Sequence, residues 1–136
     1  MPNKSALGLD ENIAALLCYV NICLPIGLVV SILVIVQDKV NKLPRFHAFQ
    51  SLFLMVLGFI IGVILAIFYV IAIVVDGIIM AATGLPIPIV LTLTGLVGGI
   101  IFLVLFIMII IAAVKAFGGQ IYKMPIIGGF ADKYSN

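Results

Sequence analysis

The 136-residue chain has no tryptophan, one histidine, one arginine and two cysteines, and only 9% of its residues are charged. Each scarcity excludes something. Soluble domains average about 25% charged and about 45–50% apolar residues, whereas this chain is 65% apolar. A water-soluble fold of this length cannot hide so much apolar surface, so lipid must be the solvent for most of it. A net charge of only +2 leaves no basic patch for a nucleic-acid partner. One histidine is not a metal ligand set. Cys18 and Cys23, five apart, point about 140° apart on a helix and should not bridge each other; they read as small buried apolar side chains. A lone histidine with no acid or nucleophile beside it points away from catalysis. No ionisable residue falls in the middle of an apolar stretch, which argues against a proton-coupled transporter or ion pump. The expectation is therefore no enzyme, no cofactor and no metal.

What is present is length of apolar run. Three stretches, about 12–36, 46–75 and 88–114, each exceed the roughly 20 residues needed to cross a bilayer. The first is too long for a signal h-region and lacks a small-residue cleavage site at its end, so it reads as a retained transmembrane helix. Between the second and third, Pro86 and Pro88 forbid a continuous helix. Asp76 is placed to cap a short interfacial turn, Gly77 to Thr83, with Gly84 as its stop. A fourth span is the competing count, but residues 76–88 are too few and too broken. The predicted fold is all-α: one integral membrane domain over residues 1–136, with three transmembrane helices and an ordered C-terminal segment at 118–136. Lys39, Lys42 and Arg45 in the first loop and Lys115, Lys123 and Lys133 after the third stretch share a side if three helices cross. Positive charge then places that side in the cytoplasm and the N-terminus outside, in a prokaryotic cytoplasmic membrane.

Polar residues in so apolar a chain need partners. His47, Gln50 and Ser51 lie at i, i+3 and i+4, one face of a helix whose first turn suits Pro44. With Arg45 they form the candidate site. It is read either as an internal latch, holding the second span to the first or to the C-terminal segment, or as a contact for a lipid headgroup, helped by Arg45 and Lys42, or for a partner protein. Asn21, Ser31, Pro25 and Gly27 make the first stretch locally polar or kinked, with Asn21 near the carbonyl that Pro25 frees. Gly58 with Gly62 and Gly95 with Gly99 are small-xxx-small steps that predict close packing of the second and third spans, or contact with another subunit. In the tail, Gly118–Gly119 should end the third helix. Pro125 and Gly128–Gly129 should break the remaining residues into short pieces lying against the membrane surface or the first loop.

The runs LDENIAALLCYVNICLPIGLVV, RFHAFQS and AFGGQIYKMPIIGGFADK together resemble a family of small bacterial membrane proteins, mostly of unknown function. That family is related to the small membrane subunit of the chloroplast inner-envelope translocon (the Tic complex), and includes the magnetosome proteins MamF and MmsF among its relatives. Asn12, Ala14 and Tyr19 match its usual start. Gly129 departs from the charged or polar residue often found there. The resemblance implies an N-out helical membrane protein with an ordered cytoplasmic end. The expected function is a non-enzymatic accessory or scaffold subunit of a larger membrane assembly; alternatively, a channel-like or translocon-like oligomer related to protein import. Partners are the lipid bilayer and other membrane subunits, with room for a homo-oligomer.

Overall fold

A computed structural model describes residues 3–20 and 25–135. Asn21 and Cys23 lie outside the described residues. Among the described residues five helices occur in order: α1 Glu11–Leu17, α2 Ile26–Gln37, α3 Lys42–Thr83, α4 Ile89–Phe117 and α5 Ile127–Ser135. No strand is present among the described residues.

The first apolar stretch does not form the single spanning helix expected of it. α1 stops after seven residues and α2 has twelve, about 18 Å at 1.5 Å per residue, against a bilayer core of about 30 Å. The chain tightens at the end of α1, where the Tyr19 and Val20 N–H groups reach back only three residues, to Leu16 and Leu17. Pro25, with no N–H of its own, sits at the N-cap of α2. α1 packs against α2. The Ala6 N–H donates to Asp38 (3.0 Å) and the Asn41 amide donates to the Lys4 carbonyl (2.9 Å), so the N-terminal segment lies beside the first loop. Among the described residues two helices, α3 and α4, rather than three, are long and apolar enough to cross a membrane.

Few residues in their most apolar stretches are buried, 6% in α3 and 11% in α4. Phe59 is 74% exposed and Phe102 71%. In water such a surface would aggregate; in lipid it is ordinary. α3 also runs further than the sequence predicts. Gly77 does not interrupt it, and it ends at Thr83, where Gly84 takes φ 70°.

The chain divides into two compact units, residues 1–56 with 107–136, and residues 57–106. In the second unit α3 and α4 run antiparallel. The Asp76 carboxylate accepts the N–H groups of Val90 (3.0 Å) and Leu91 (2.7 Å). It thus caps α4 from the neighbouring helix, not the local turn expected of it, and satisfies two of the donors a helix start leaves open. Of the glycine steps, only Gly95 makes a close approach: a Cβ there would lie 3.2 Å from the Tyr69 hydroxyl oxygen. A Cβ at Gly58, Gly62 or Gly99 would meet nothing within 4 Å. The expected glycine seam within the chain is therefore not formed. Side chains such as Leu65, 3.7 Å from the Cβ position of Gly98, fill the helix contact instead.

In the first unit small residues make the core: Ala14, Cys18, Val34 and Ala48 pack together. Gly119 (φ 69°) ends α4, with the Gln120 N–H returning to the Lys115 carbonyl. The tail then breaks at Pro125, but Gly128 and Gly129 lie inside α5 and do not divide it. Gly128 is there for proximity: a Cβ would sit 2.6 Å from the Lys123 Cα.

Candidate functional site

The first unit contains a continuous chain of buried hydrogen bonds. α3 begins with RFHAFQS, and its 3.6-residue repeat turns His47, Gln50 and Ser51 inward together; all three are buried, His47 and Gln50 completely. His47 Nε2 lies 3.0 Å from the Gln120 carbonyl oxygen, and Nδ1 lies 2.9 Å from the Tyr19 hydroxyl. A carbonyl can only accept, so Nε2 carries the proton. In the neutral ring Nδ1 is then the acceptor, and Tyr19 donates to it. The Tyr19 oxygen in turn accepts from Gln50 Nε2 (3.1 Å), and Gln50 Oε1 accepts the Met124 N–H (3.3 Å). Ser51 Oγ donates to the Cys18 carbonyl at the end of α1. Every direction in the chain is fixed by its two ends, both backbone groups of residues 120–124.

Rings close over the network. Phe46 and Tyr19 each meet the His47 ring edge-on, at centroid distances of 5.2 and 5.6 Å. These hydrogen bonds sit in low dielectric and polarise one another, so the set is stiffer than its members. It joins the end of α1, the start of α3 and the segment after α4.

Arg45 does not belong to it. Its Nη1 donates to the Lys39 carbonyl (3.2 Å), so it braces the first loop. Outside the network, Asp132 of α5 pairs with Lys123 (2.8 Å) and Lys42 (3.3 Å). These ammonium groups hold its carboxyl below the usual carboxylate range. In the first loop, burial pushes the Asp38 carboxyl up, but donors from Asn41, Ala6 and Val40 outweigh it and leave it below its ordinary value.

A sequence profile of the magnetosome magnetite crystal formation protein family matches residues 10–131. The chain belongs to this family. It is also 34% identical over 132 residues to the UPF0132 membrane protein MJ1443 of Methanocaldococcus jannaschii, covering 97% of this chain and 94% of that protein. No solved structure matches. The matched region of this MamF/MmsF-family protein includes every residue of the buried network, from Cys18 to Met124.

Cys18, Tyr19, Gln120 and Met124 are the members that sequence reasoning did not place in the site. Tyr19 is the one phenol in the first apolar stretch, which is the signal that could have found it. Gln120 contributes only its backbone carbonyl, for which no side-chain pattern exists. Among the described residues, no three His, Cys, Asp or Glu side chains come together as a metal site.

Proposed function

We propose that this small membrane protein is a non-enzymatic accessory or scaffold subunit of a larger assembly in a prokaryotic cytoplasmic membrane. What supports this is the fate of its polar atoms: both ring nitrogens of His47, both amide atoms of Gln50 and the Ser51 hydroxyl are engaged inside the protein. The side chains best suited to chemistry serve to hold shape, while α3 and α4 turn apolar surface outward. The family's name refers to magnetite crystal formation. That name carries no iron chemistry over to this chain, whose one histidine is engaged at both nitrogens. Gentle detergent extraction with identification of co-purifying chains tests the proposal. Membrane subunits in fixed ratio are expected; recovery of the chain alone as a monomer counts against it.

The proposal includes an orientation. If α3 and α4 cross and the α1–α2 pair enters and leaves on one side, then the N-terminal segment, first loop and tail share a face. That face carries all seven basic residues, Lys4, Lys39, Lys42, Arg45, Lys115, Lys123 and Lys133, and belongs in the cytoplasm. In a background lacking Cys18 and Cys23, cysteines introduced at Lys4, Lys42 and Lys133 should label only after permeabilisation, and one at Thr83 in intact cells. Labelling of Lys4→Cys from outside would restore three crossings.

The second reading, a channel-like or translocon-like oligomer, is favoured by one observation: Gly58, Gly62 and Gly99 leave space around them in the single chain, as a helix from another copy would need. Cross-linking between copies at these positions tests it.

A further inference from the structure

We infer that the outer face of α5 and the turn before it form a seat for anionic phospholipid, with Ile126, Phe130 and Tyr134 entering the headgroup boundary and Lys133 meeting lipid phosphate. The helix has two faces of different kind. Ile127, Gly128, Ala131 and Ser135 are buried against the rest of their unit. On the other side Phe130 and Tyr134, spaced i and i+4, lie together, 57% and 52% exposed, and Ile126, in the turn just before the helix, is 79% exposed. A helix that faced water would carry polar residues there.

Ile126 makes the point sharply. It is a β-branched residue at φ 70°, a conformation such residues rarely adopt and glycine adopts freely. The turn that holds it is closed by backbone, the Gly128 N–H donating to the Met124 carbonyl, and it turns an apolar side chain outward, 79% exposed.

The chemistry that this face meets is set by the neighbours. The Phe130 and Tyr134 rings lie 6.3 and 6.0 Å from Phe53 of α3, and Tyr134 lies 6.1 Å from Phe49. The pair is therefore continuous with an aromatic patch at the start of a lipid-suited helix. Aromatic rings with one wet end concentrate at membrane–water boundaries. The rim is basic. Lys133 is exposed and stands three residues, about one turn, after Phe130. Lys42 and Lys123 share the single carboxylate of Asp132, which leaves that cluster with a net positive charge. An apolar face with a basic rim is the pattern of helices that lie in the interface of anionic bilayers.

The absence of tryptophan makes a direct test. Full-length protein carrying Phe130→Trp is placed in nanodiscs of phosphatidylcholine, with or without phosphatidylglycerol, whose acyl chains are brominated. The indole emission should shift to the blue and be quenched by bromine. Quenching should be stronger with phosphatidylglycerol, and that preference should fade in high salt. Lys133→Gln should weaken the apparent preference for the anionic lipid about fivefold, the share of one basic residue. Tyr134→Trp repeats the measurement should the first variant not fold. Absence of quenching in both bilayers overturns the inference. So does quenching indifferent to phosphatidylglycerol, and so does a concentration-dependent blue shift without quenching, which would place a second copy on this face.

Discussion

Changing His47 to Leu keeps most of the side-chain bulk and removes both ring nitrogens. The Tyr19 hydroxyl then lacks its acceptor and the Gln120 carbonyl its donor, each in buried surroundings. A buried polar group left without a partner costs about 1–3 kcal/mol. Two such groups, less what the added apolar contact restores, amount to roughly 2–4 kcal/mol. His47→Gln can still donate to the Gln120 carbonyl, so it should lose only about 1 kcal/mol. Tyr19→Phe strikes the same link from the other side, leaving His47 Nδ1 and Gln50 Nε2 without it. The double change should therefore cost less than the sum of the singles by about 1 kcal/mol or more. Reversible unfolding in mixed micelles measures the energies, and trypsin cleavage at Lys123 and Lys133 reports whether residues 118–136 are still held. If His47→Leu costs less than about 0.5 kcal/mol and leaves that segment as protected as in the parent, the buried chain does not hold the tail and the reasoning fails.

Asp76→Ala removes two charge-assisted bonds at the start of α4 and should destabilise by about 1–2 kcal/mol in the same unfolding assay, with Asp76→Asn recovering part. Gly128→Ala drives a methyl into the backbone at Lys123 and should cost about 1–3 kcal/mol and expose the tail to trypsin. Gly62→Ala and Gly99→Ala, with open space around them, should stay within about 0.5 kcal/mol of the parent in a monomeric micelle preparation. Asp38 is held below its ordinary 3.8 in the folded protein, so the unfolded chain binds its proton more readily. Its contribution is complete above about pH 4 and is lost as pH falls through the folded-state value; Asn41→Ala should shrink that acid-side dependence in pH-resolved unfolding.

The helical, membrane-suited character was legible because composition alone forbids a soluble fold. The stripe of His47, Gln50 and Ser51 was legible because polar groups among apolar neighbours need partners and their spacing gives a common face. Their partners were harder to read. Met124 and Gln120 act through backbone atoms, which no residue type advertises. The break in the first stretch was hidden because hydropathy measures what a segment tolerates, not whether it stays straight: Pro25 reads as a kink within one helix, but α2 begins beside it. Asp76 reads as the cap of its own turn because local capping is the default. The carboxylate serves α4 instead, since a helix start packed alongside offers two unpaired donors at once. Gly58, Gly62 and Gly99 carry a spacing shared by seams and by lipid-facing helices alike, so spacing alone could not choose.

The separation along the chain between the two ends of each polar contact sets an order of events during synthesis. Asp76 waits only 14 residues for the first of its partners, about 1–3 s at ordinary elongation rates. His47 waits 73 residues for the Gln120 carbonyl, roughly 4–15 s. Throughout that interval the start of α3 has been made, but the segment that closes its hydrogen bonds has not left the ribosome. The nascent protein must therefore shelter an open imidazole and amide at the edge of the bilayer, and the last residues synthesised complete the part of the fold that the first ones began. Ribosome-arrested chains cut short before and after residue 124, made long enough to clear the exit tunnel, should differ in protease protection of residues 1–56.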